Sequence, residues 1–104
     1  MAVLTMSVLE ENAAVTVAVA GELDISARRL LLTGLRAVLG SDPGHLVINV
    51  SGLTFVDAAG LGALVAVRRR AARQATVVQL TGVPPHMLRV MDLARSRDHF
   101  RIAT

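Results

Sequence analysis

Residues 47–64 read VINVSGLTFVDAAGLGAL, and this stretch decides the fold. The apolar run at 46–50 is rich in β-branched residues, which is typical of a buried central strand. Residues 51–54 combine Ser, Gly and Thr and predict a turn. Apolar residues then recur at helical spacing on one stripe, which consists of Ala63, Leu64, Val67 and Ala71. A helix over residues 58–72 is therefore expected to begin directly after Asp57.

Four further segments have the composition of strands: residues 4–9, 15–20, 76–80 and 100–102. The polar residues between the first two supply a turn, so this pair predicts a β-hairpin. The third follows the central helix. Strand, helix and strand should therefore form a right-handed crossover between parallel neighbours.

Two further helices are predicted. Ser26 or Asp24 caps the first, which runs to the breaker-rich residues 40–44. Pro84 or Pro85 opens the second, because proline fits the first helical turn. The residues expected to face the core are Leu31, Leu35, Val38 and Leu39 in the first helix and Met87, Leu88 and Met91 in the second.

The element order β-β-α-β-α-β-α-β predicts an α/β fold with a mixed central sheet flanked by helices. At this length, residues 1–104 are expected to form one domain. The carboxyl ends of parallel strands share one edge of a sheet, where partners and ligands tend to bind. The loops at 21–24, 57–60 and 81–82 should therefore gather at one end of the molecule.

The composition argues against several classes of protein. The two Phe residues are the only aromatics, which disfavours a protein that stacks on bases. The chain has no Cys, which excludes disulfides and thiolate zinc sites. All eleven basic residues are Arg, yet the net charge is only +3, a weak indication of nucleic-acid binding. Neither a signal peptide nor a membrane span is apparent, so a soluble cytoplasmic protein is expected.

No pattern of catalytic residues stands out. There is no Ser-His-Asp order, no paired-carboxylate motif and no phosphate-binding loop, and Lys is absent. His45, His86 and His99 are scattered without the spacing of metal ligands. The Arg residues within 68–73 are best explained as a solvated helix face, with an acidic partner or anionic surface as the alternative. We therefore expect a binding protein without cofactor or metal.

Four motifs occur in an order that resembles the STAS domain family of bacterial anti-sigma factor antagonists. They are GELD at 21–24, NVSGLTFVD at 49–57, GLGAL at 60–64 and VPPHMLRVM at 83–91. The resemblance covers nearly the whole chain. Residues 93–100 depart from it, because the family's usual Thr-Gly-Leu turn is missing there. The end of the last helix is thus not fixed by the sequence.

The resemblance implies regulation of transcription by protein–protein binding. Such proteins bind an anti-sigma factor of the GHKL serine-kinase type and so release a sigma factor. The kinase phosphorylates the first Ser after the acid, and the modified form dissociates. Here Ala58 holds that position and Ala59 follows it, so no switching is expected there. The residues that the resemblance places at the partner surface are Glu22, Asp24, Ser26, Asp57, Ala58, Ala59, Gly60, Leu61 and Thr81.

Other interpretations stay open. Asp57 could serve only as a helix N-cap, and Gly60 could serve only close packing. The domain could be a scaffold or accessory subunit in a stress-signalling particle or a lipid-transport ABC system, where no phosphate switch is required. Sensing of a nucleotide or small ligand at the strand-end loops is a third possibility, although no motif marks a pocket.

Overall fold

A computed structural model of the chain describes residues 3–103, which form a five-stranded sheet and three α-helices. The strand order is β1-β2-β3-β4-β5, with β1 antiparallel to β2 and all other neighbours parallel. This confirms the predicted α/β order and mixed sheet. In chain order the elements are β1 (Thr5–Glu11), β2 (Ala14–Leu23), a 3-10 helix (Ile25–Ala27), α1 (Arg28–Gly40), β3 (His45–Val56), α2 (Ala58–Arg73), β4 (Val77–Thr81), α3 (Pro85–Leu93), a second 3-10 helix (Arg97–His99) and β5 (Arg101–Ala103).

All three α-helices lie on one face of the sheet. Each crossover, from β2 to β3, β3 to β4 and β4 to β5, steps in the same direction, and right-handed connections then place their helices on the same side. The strand residues that face these helices are buried, as in the row Val17, Ile48 and Leu80. The predicted inward residues of the helices are buried or packed against this core: Leu31, Leu35, Val38, Leu39, Met87, Leu88 and Met91.

The central strand β3 is longer than predicted, and the turn expected at residues 51–54 is wrong. Leu53 and Val56 are buried, and the backbone of this segment pairs with the end of β2. The ladder is irregular here, and Gly52 lies so close to Ala20 that a Cβ atom at Gly52 would sit 2.8 Å from the Ala20 Cβ. The Ser-Gly pair therefore marks an irregularity within a strand, a role that glycine shares with turns.

The loop predicted at 21–24 is also mostly strand, because β2 continues to Leu23. Asp24 then caps the 3-10 helix by accepting from the Ala27 amide at 3.1 Å, and α1 begins only at Arg28. Asp24 is therefore a helix cap, as predicted, but it caps the short 3-10 helix that leads into α1.

The end of α3, which the sequence did not fix, is a Schellman motif. The Ser96 amide donates to the Met91 carbonyl at 2.8 Å and the Arg95 amide donates to the Asp92 carbonyl at 3.1 Å. Arg95 takes a φ of 53°, in the left-handed region that glycine most often occupies. The helix thus ends in the usual geometry without a glycine at this position.

Two leucines of α1 test this packing. Leu35 is fully buried, whereas Leu30 on the same helix is 49% exposed. We expect Leu35→Ala to lower the free energy of unfolding by about 2–5 kcal/mol, since it removes buried methyl groups and leaves a cavity. Leu30→Ala should cost about 0.5 kcal/mol or less, as for other surface substitutions. Urea titrations of both variants measure the difference, and equal losses would contradict the orientation of α1.

Candidate functional site

The ends of β2 and β3 bring together two of the three predicted loops. Leu23 and Val56 are register partners at the last position of the two strands. The Asp57 amide donates to the Leu23 carbonyl at 3.2 Å, so the connection after β3 is tied to the connection after β2. We name the two connections, residues 24–27 and 57–60, the strand-end site.

Asp57 is the N-cap of α2. Its Oδ1 accepts from the Gly60 amide at 2.7 Å, and its carbonyl oxygen accepts from the Leu61 amide at 2.9 Å. These contacts fix the first turn of the helix. Ala58, the first helical residue, has an exposed side chain. Position 58, where the family resemblance implies a phosphorylatable serine, is therefore at the surface, next to a carboxylate and at the positive end of the helix dipole.

Arg28 connects the start of α1 to this turn. Its Nη1 atom donates to the Ala59 carbonyl at 2.8 Å and would lie 3.1 Å from a Cβ atom added at Gly62. The guanidinium thus lies across the first turn of α2 and holds the two helices in register. The sequence analysis missed Arg28, because only the three-dimensional contact between the helices distinguishes it from its neighbour Arg29.

Gly60 and Leu61 are buried and serve packing. A Cβ atom at Gly60 would collide with the Leu23 carbonyl oxygen and would lie 2.7 Å from the Leu23 Cγ atom. A rigid backbone cannot yield as a flexible side chain can, so only glycine fits here. The Leu61 side chain is 1% exposed, and its contribution to the site is to anchor the helix in the core.

The Asp24 carboxylate is held by its own loop. The Ser26 hydroxyl donates to Asp24 Oδ1 at 2.6 Å and holds the pKa of that carboxyl below its ordinary value, with the Ala27 amide acting in the same direction. Asp24 therefore stays ionised to lower pH than an ordinary aspartate. Ser26 acts as a partner of Asp24 and not as the cap of α1.

Glu22 and Phe55 are register partners on β2 and β3 just before the site. Phe55 is 47% exposed, and Ile25 in the following 3-10 helix is 72% exposed. Large apolar side chains that are exposed and rimmed by polar ones are typical of protein–protein contacts. Sequence reasoning missed Phe55 because it placed residues 51–54 in a turn. A continuous strand would have put Phe55 on the face opposite the buried Val56.

Thr81 does not join the strand-end site, contrary to the prediction for the loop at 81–82. The register pairs Thr81 with Asn49, seven residues before Val56 on β3. Gly82 accordingly packs against Ser51, whose Cβ would lie 2.7 Å from a Cβ atom at Gly82. The physical reason is strand length, because β4 has five residues and β3 has twelve.

A shallow groove of about 330 Å³ opens beside Ala58. It runs between α2 and the segment that follows α3. Its lining residues are Ala58, Leu61, Gly62, Val65, Arg69, Ala94, Ser96 and His99. Within residues 3–103 no three His, Asp or Glu side chains come together as metal ligands. None of the helices in that range has the length and apolarity needed to cross a membrane.

The contact between Gly60 and Leu23 yields a stability test. We expect Gly60→Ala to lower the free energy of unfolding by about 1–3 kcal/mol, because the added methyl group has no space beside the Leu23 backbone. Gly40→Ala is the control, since no atom lies within 4 Å of a Cβ there, and it should raise stability by up to about 1 kcal/mol. A Gly60→Ala protein as stable as the parent would show that α2 can shift away from β2.

The Ser26–Asp24 contact yields a pH test. We expect Ser26→Ala to raise the pKa of Asp24 towards its ordinary value, as measured by NMR titration of the carboxyl carbon. The folded pKa of Asp24 is the lower one. Its carboxylate therefore stabilises the fold above the unfolded pKa, and that contribution is lost as the pH falls through the folded value. An unchanged pKa in the variant would mean that the Ser26 hydroxyl does not hold the carboxylate in solution.

Comparison with known proteins places the chain in a family. A family model described as Mlab, STAS domain matches residues 6–100. The structure is similar to an anti-sigma factor antagonist from Mycobacterium paratuberculosis, with a TM-score of 0.86 and 25% identity, covering 96% of this chain and 85% of that one. No protein of curated function matches the chain.

Two further solved structures show the shared fold alone. The phosphorylated form of SpoIIAA, a Bacillus cell fate determinant, has a TM-score of 0.72 and 19% identity, covering 98% of this chain and 92% of that one. A sulfate transporter family protein from Wolinella succinogenes has a TM-score of 0.77 and 15% identity, covering 90% of this chain and 79% of that one. Since the family model spans most of the sequence, from the first strand to Phe100, the chain belongs to the STAS domain family.

Proposed function

We propose that this protein is a cytoplasmic anti-sigma factor antagonist of a bacterium, that it binds an anti-sigma factor of the GHKL serine-kinase type, and that it thereby releases a sigma factor. It acts by binding and not by catalysis. The observation that carries the proposal is the strand-end site itself. Asp57 caps α2 next to the capped Asp24 loop, and the exposed position after Asp57 is Ala58. The structural similarity to an anti-sigma factor antagonist supports the class of partner.

The binding surface that we propose consists of the exposed and half-buried members of the site, which are Glu22, Asp24, Ser26, Asp57, Ala58 and Ala59. Gly60 and Leu61 support this surface from the core, and Thr81 lies apart from it at the end of β4. Three of the surface residues are carboxylates, so the partner should present basic side chains opposite them. Phe55 and Ile25 supply adjoining apolar area.

The absence of a hydroxyl at position 58 determines how the proposed complex is regulated. A phosphate on residue 58 would sit at the N-terminus of α2, where the helix dipole favours an anion and the fold would tolerate it. At an interface, the same charge beside Asp57 would be repelled by that carboxylate and would have to be desolvated. An alanine cannot carry this phosphate. The complex is therefore expected to persist in the presence of kinase and ATP, with release of the sigma factor governed by the amounts of the proteins.

Restoring the hydroxyl tests this proposal. The cognate anti-sigma factor is incubated with ATP and either the parent protein, Ala58→Ser or Ala59→Ser, and phosphate incorporation and complex formation are followed by mass spectrometry and size-exclusion chromatography. We expect no phosphate on the parent and a stable complex. Ala58→Ser should become phosphorylated and dissociate. Ala59→Ser is the matched control, because it adds the same hydroxyl one residue further into the helix, where the side chain is half-buried, and it should stay unmodified.

Three results would count against the proposal in different ways. Phosphate on any Ser or Thr of the parent, with loss of the complex, would contradict the proposal that the protein is not switched by phosphorylation. An Ala58→Ser protein that binds the kinase but is not modified would show that more than the hydroxyl has been lost. Failure of the parent to bind any anti-sigma factor of this type would remove the proposed function itself.

A second candidate function is a scaffold or accessory subunit of a larger complex, such as a stress-signalling particle or a lipid-transport ABC system. It is favoured by the absence of a hydroxyl at both Ala58 and Ala59, since a docking subunit needs no switch. Affinity capture from the native cell separates the two functions. Recovery of a GHKL-type kinase supports the first, and recovery of a transporter ATPase supports the second.

A further inference from the structure

The outer side of α1 carries a groove that shares only Ile25 with the strand-end site. It has a volume of about 460 Å³. Its lining residues are Ile25, Arg28, Arg29, Leu32, Thr33 and Arg36. From Arg28 to Arg36 the groove follows α1 for about 12 Å, at about 1.5 Å per residue.

The charged residues that line this groove are all basic. Helix α1 contains three Arg residues and no acidic residue. Within residues 3–103 none of the three guanidinium groups forms an ion pair, whereas Arg97 does pair with Asp92 at 2.8 Å. Arg28 is engaged with the Ala59 carbonyl, but Arg29 and Arg36 are exposed and have no such partner in that range. The groove therefore carries positive charge that the described part of the chain does not neutralise.

The position of these charges is unfavourable for the helix alone. Arg28 and Arg29 occupy the first turn of α1, where the helix dipole favours anions and disfavours cations. Acidic residues in the first turn would stabilise the helix, and the first turn of α1 has none. An acidic group bound at this end would be attracted both by the guanidinium groups and by the helix dipole.

The groove also has an apolar component. Ile25 is 72% exposed at one end, and Leu32 lies half-buried between Arg28 and Arg36. The side chains of the groove recur every three to four positions, at residues 25, 28/29, 32 and 36. The apolar and basic side chains therefore share one stripe of the helix surface. A stripe of this kind is complementary to a second amphipathic element with acidic flanks.

We propose that this α1 groove binds an acidic amphipathic helical segment of a partner protein. Aliphatic side chains of the segment pack on Ile25 and Leu32, and its carboxylates pair with Arg29 and Arg36. A protein segment is favoured over nucleic acid, because the groove offers apolar side chains and no aromatic ring for bases to stack on. Asp24 lies beside Ile25, so the carboxylates of the segment are expected along Arg29 and Arg36 and not beyond Ile25.

The groove adjoins the strand-end site at two points. Ile25 follows Asp24 directly, and Arg28 contacts Ala59. One partner could therefore cover both surfaces, with basic groups over the carboxylates and an acidic segment over α1. The groove is tested with a designed peptide and not with an anti-sigma factor. Failure to bind that peptide would leave the proposed function untouched.

A designed peptide tests the groove. The probe is a fluorescein-labelled peptide with leucines at positions i, i+3, i+4 and i+7 and glutamates on both flanks, and its counterpart has every Glu replaced by Gln. Fluorescence polarisation at low and high salt gives the dissociation constants. We expect saturable binding of the Glu peptide that weakens as salt is raised, and weaker binding of the Gln peptide.

Paired charge reversals locate the binding site. Arg29→Glu combined with Arg36→Glu should weaken binding of the Glu peptide by about tenfold or more. Arg70→Glu combined with Arg89→Glu is the matched control, because both residues are exposed, lie outside the groove and change the net charge equally. The control should change the dissociation constant by less than about twofold at moderate salt. Circular dichroism of both double variants establishes that they are folded.

Several outcomes would overturn the inference. Absence of saturable binding to the parent protein, equal weakening by both double variants, or equal affinity for the Glu and Gln peptides would each do so. Binding of the parent to vesicles of anionic phospholipid, without binding of the peptide and with loss in the Arg29/Arg36 variant, would replace the protein segment by a membrane surface.

Discussion

The close contact between α2 and the end of β2 is the constraint on which the rest of the structure depends. A glycine at position 60 lets the helix backbone meet the Leu23 carbonyl, and the Asp57 amide donates to that same carbonyl. Both contacts fix the position of the first turn of α2 against the end of β2. The exposed position 58 is thereby held at a fixed place in the turn after Asp57, beside the Asp24 loop.

These contacts explain how the turn keeps its shape without a hydroxyl at position 58. The turn is held by backbone contacts, by the Asp57 cap and by Arg28 on the Ala59 carbonyl, and none of them uses the side chain at position 58. An alanine there leaves the geometry as it is and removes only the chemistry of modification. Under the proposed function, binding and switching are therefore physically separable.

Much of the fold could be predicted from the sequence, because the periodic spacing of apolar residues that indicates a helix or a strand lies within each segment. The element order and the helix caps at Asp24 and Asp57 follow from such patterns. The length of β3 does not. Residues 51–54 carry turn-forming side chains, and only pairing with β2 keeps them extended. Thr81 was misplaced for the same reason, since the register between unequal strands is a tertiary property. Arg28 was missed because its contact joins residues far apart in the chain.

The distribution of charge adds a last consequence. The strand-end site is acidic and the neighbouring groove on α1 is basic, although the net charge of the chain is only +3. Two adjacent surfaces of opposite sign attract a partner in one orientation and repel it in the reversed one, because the reversed arrangement puts like charges together. Arg28 lies at the boundary, with its guanidinium on the Ala59 carbonyl and its side chain lining the groove. Any change there would alter both surfaces at once, which makes this residue the structural link between the two proposed contacts.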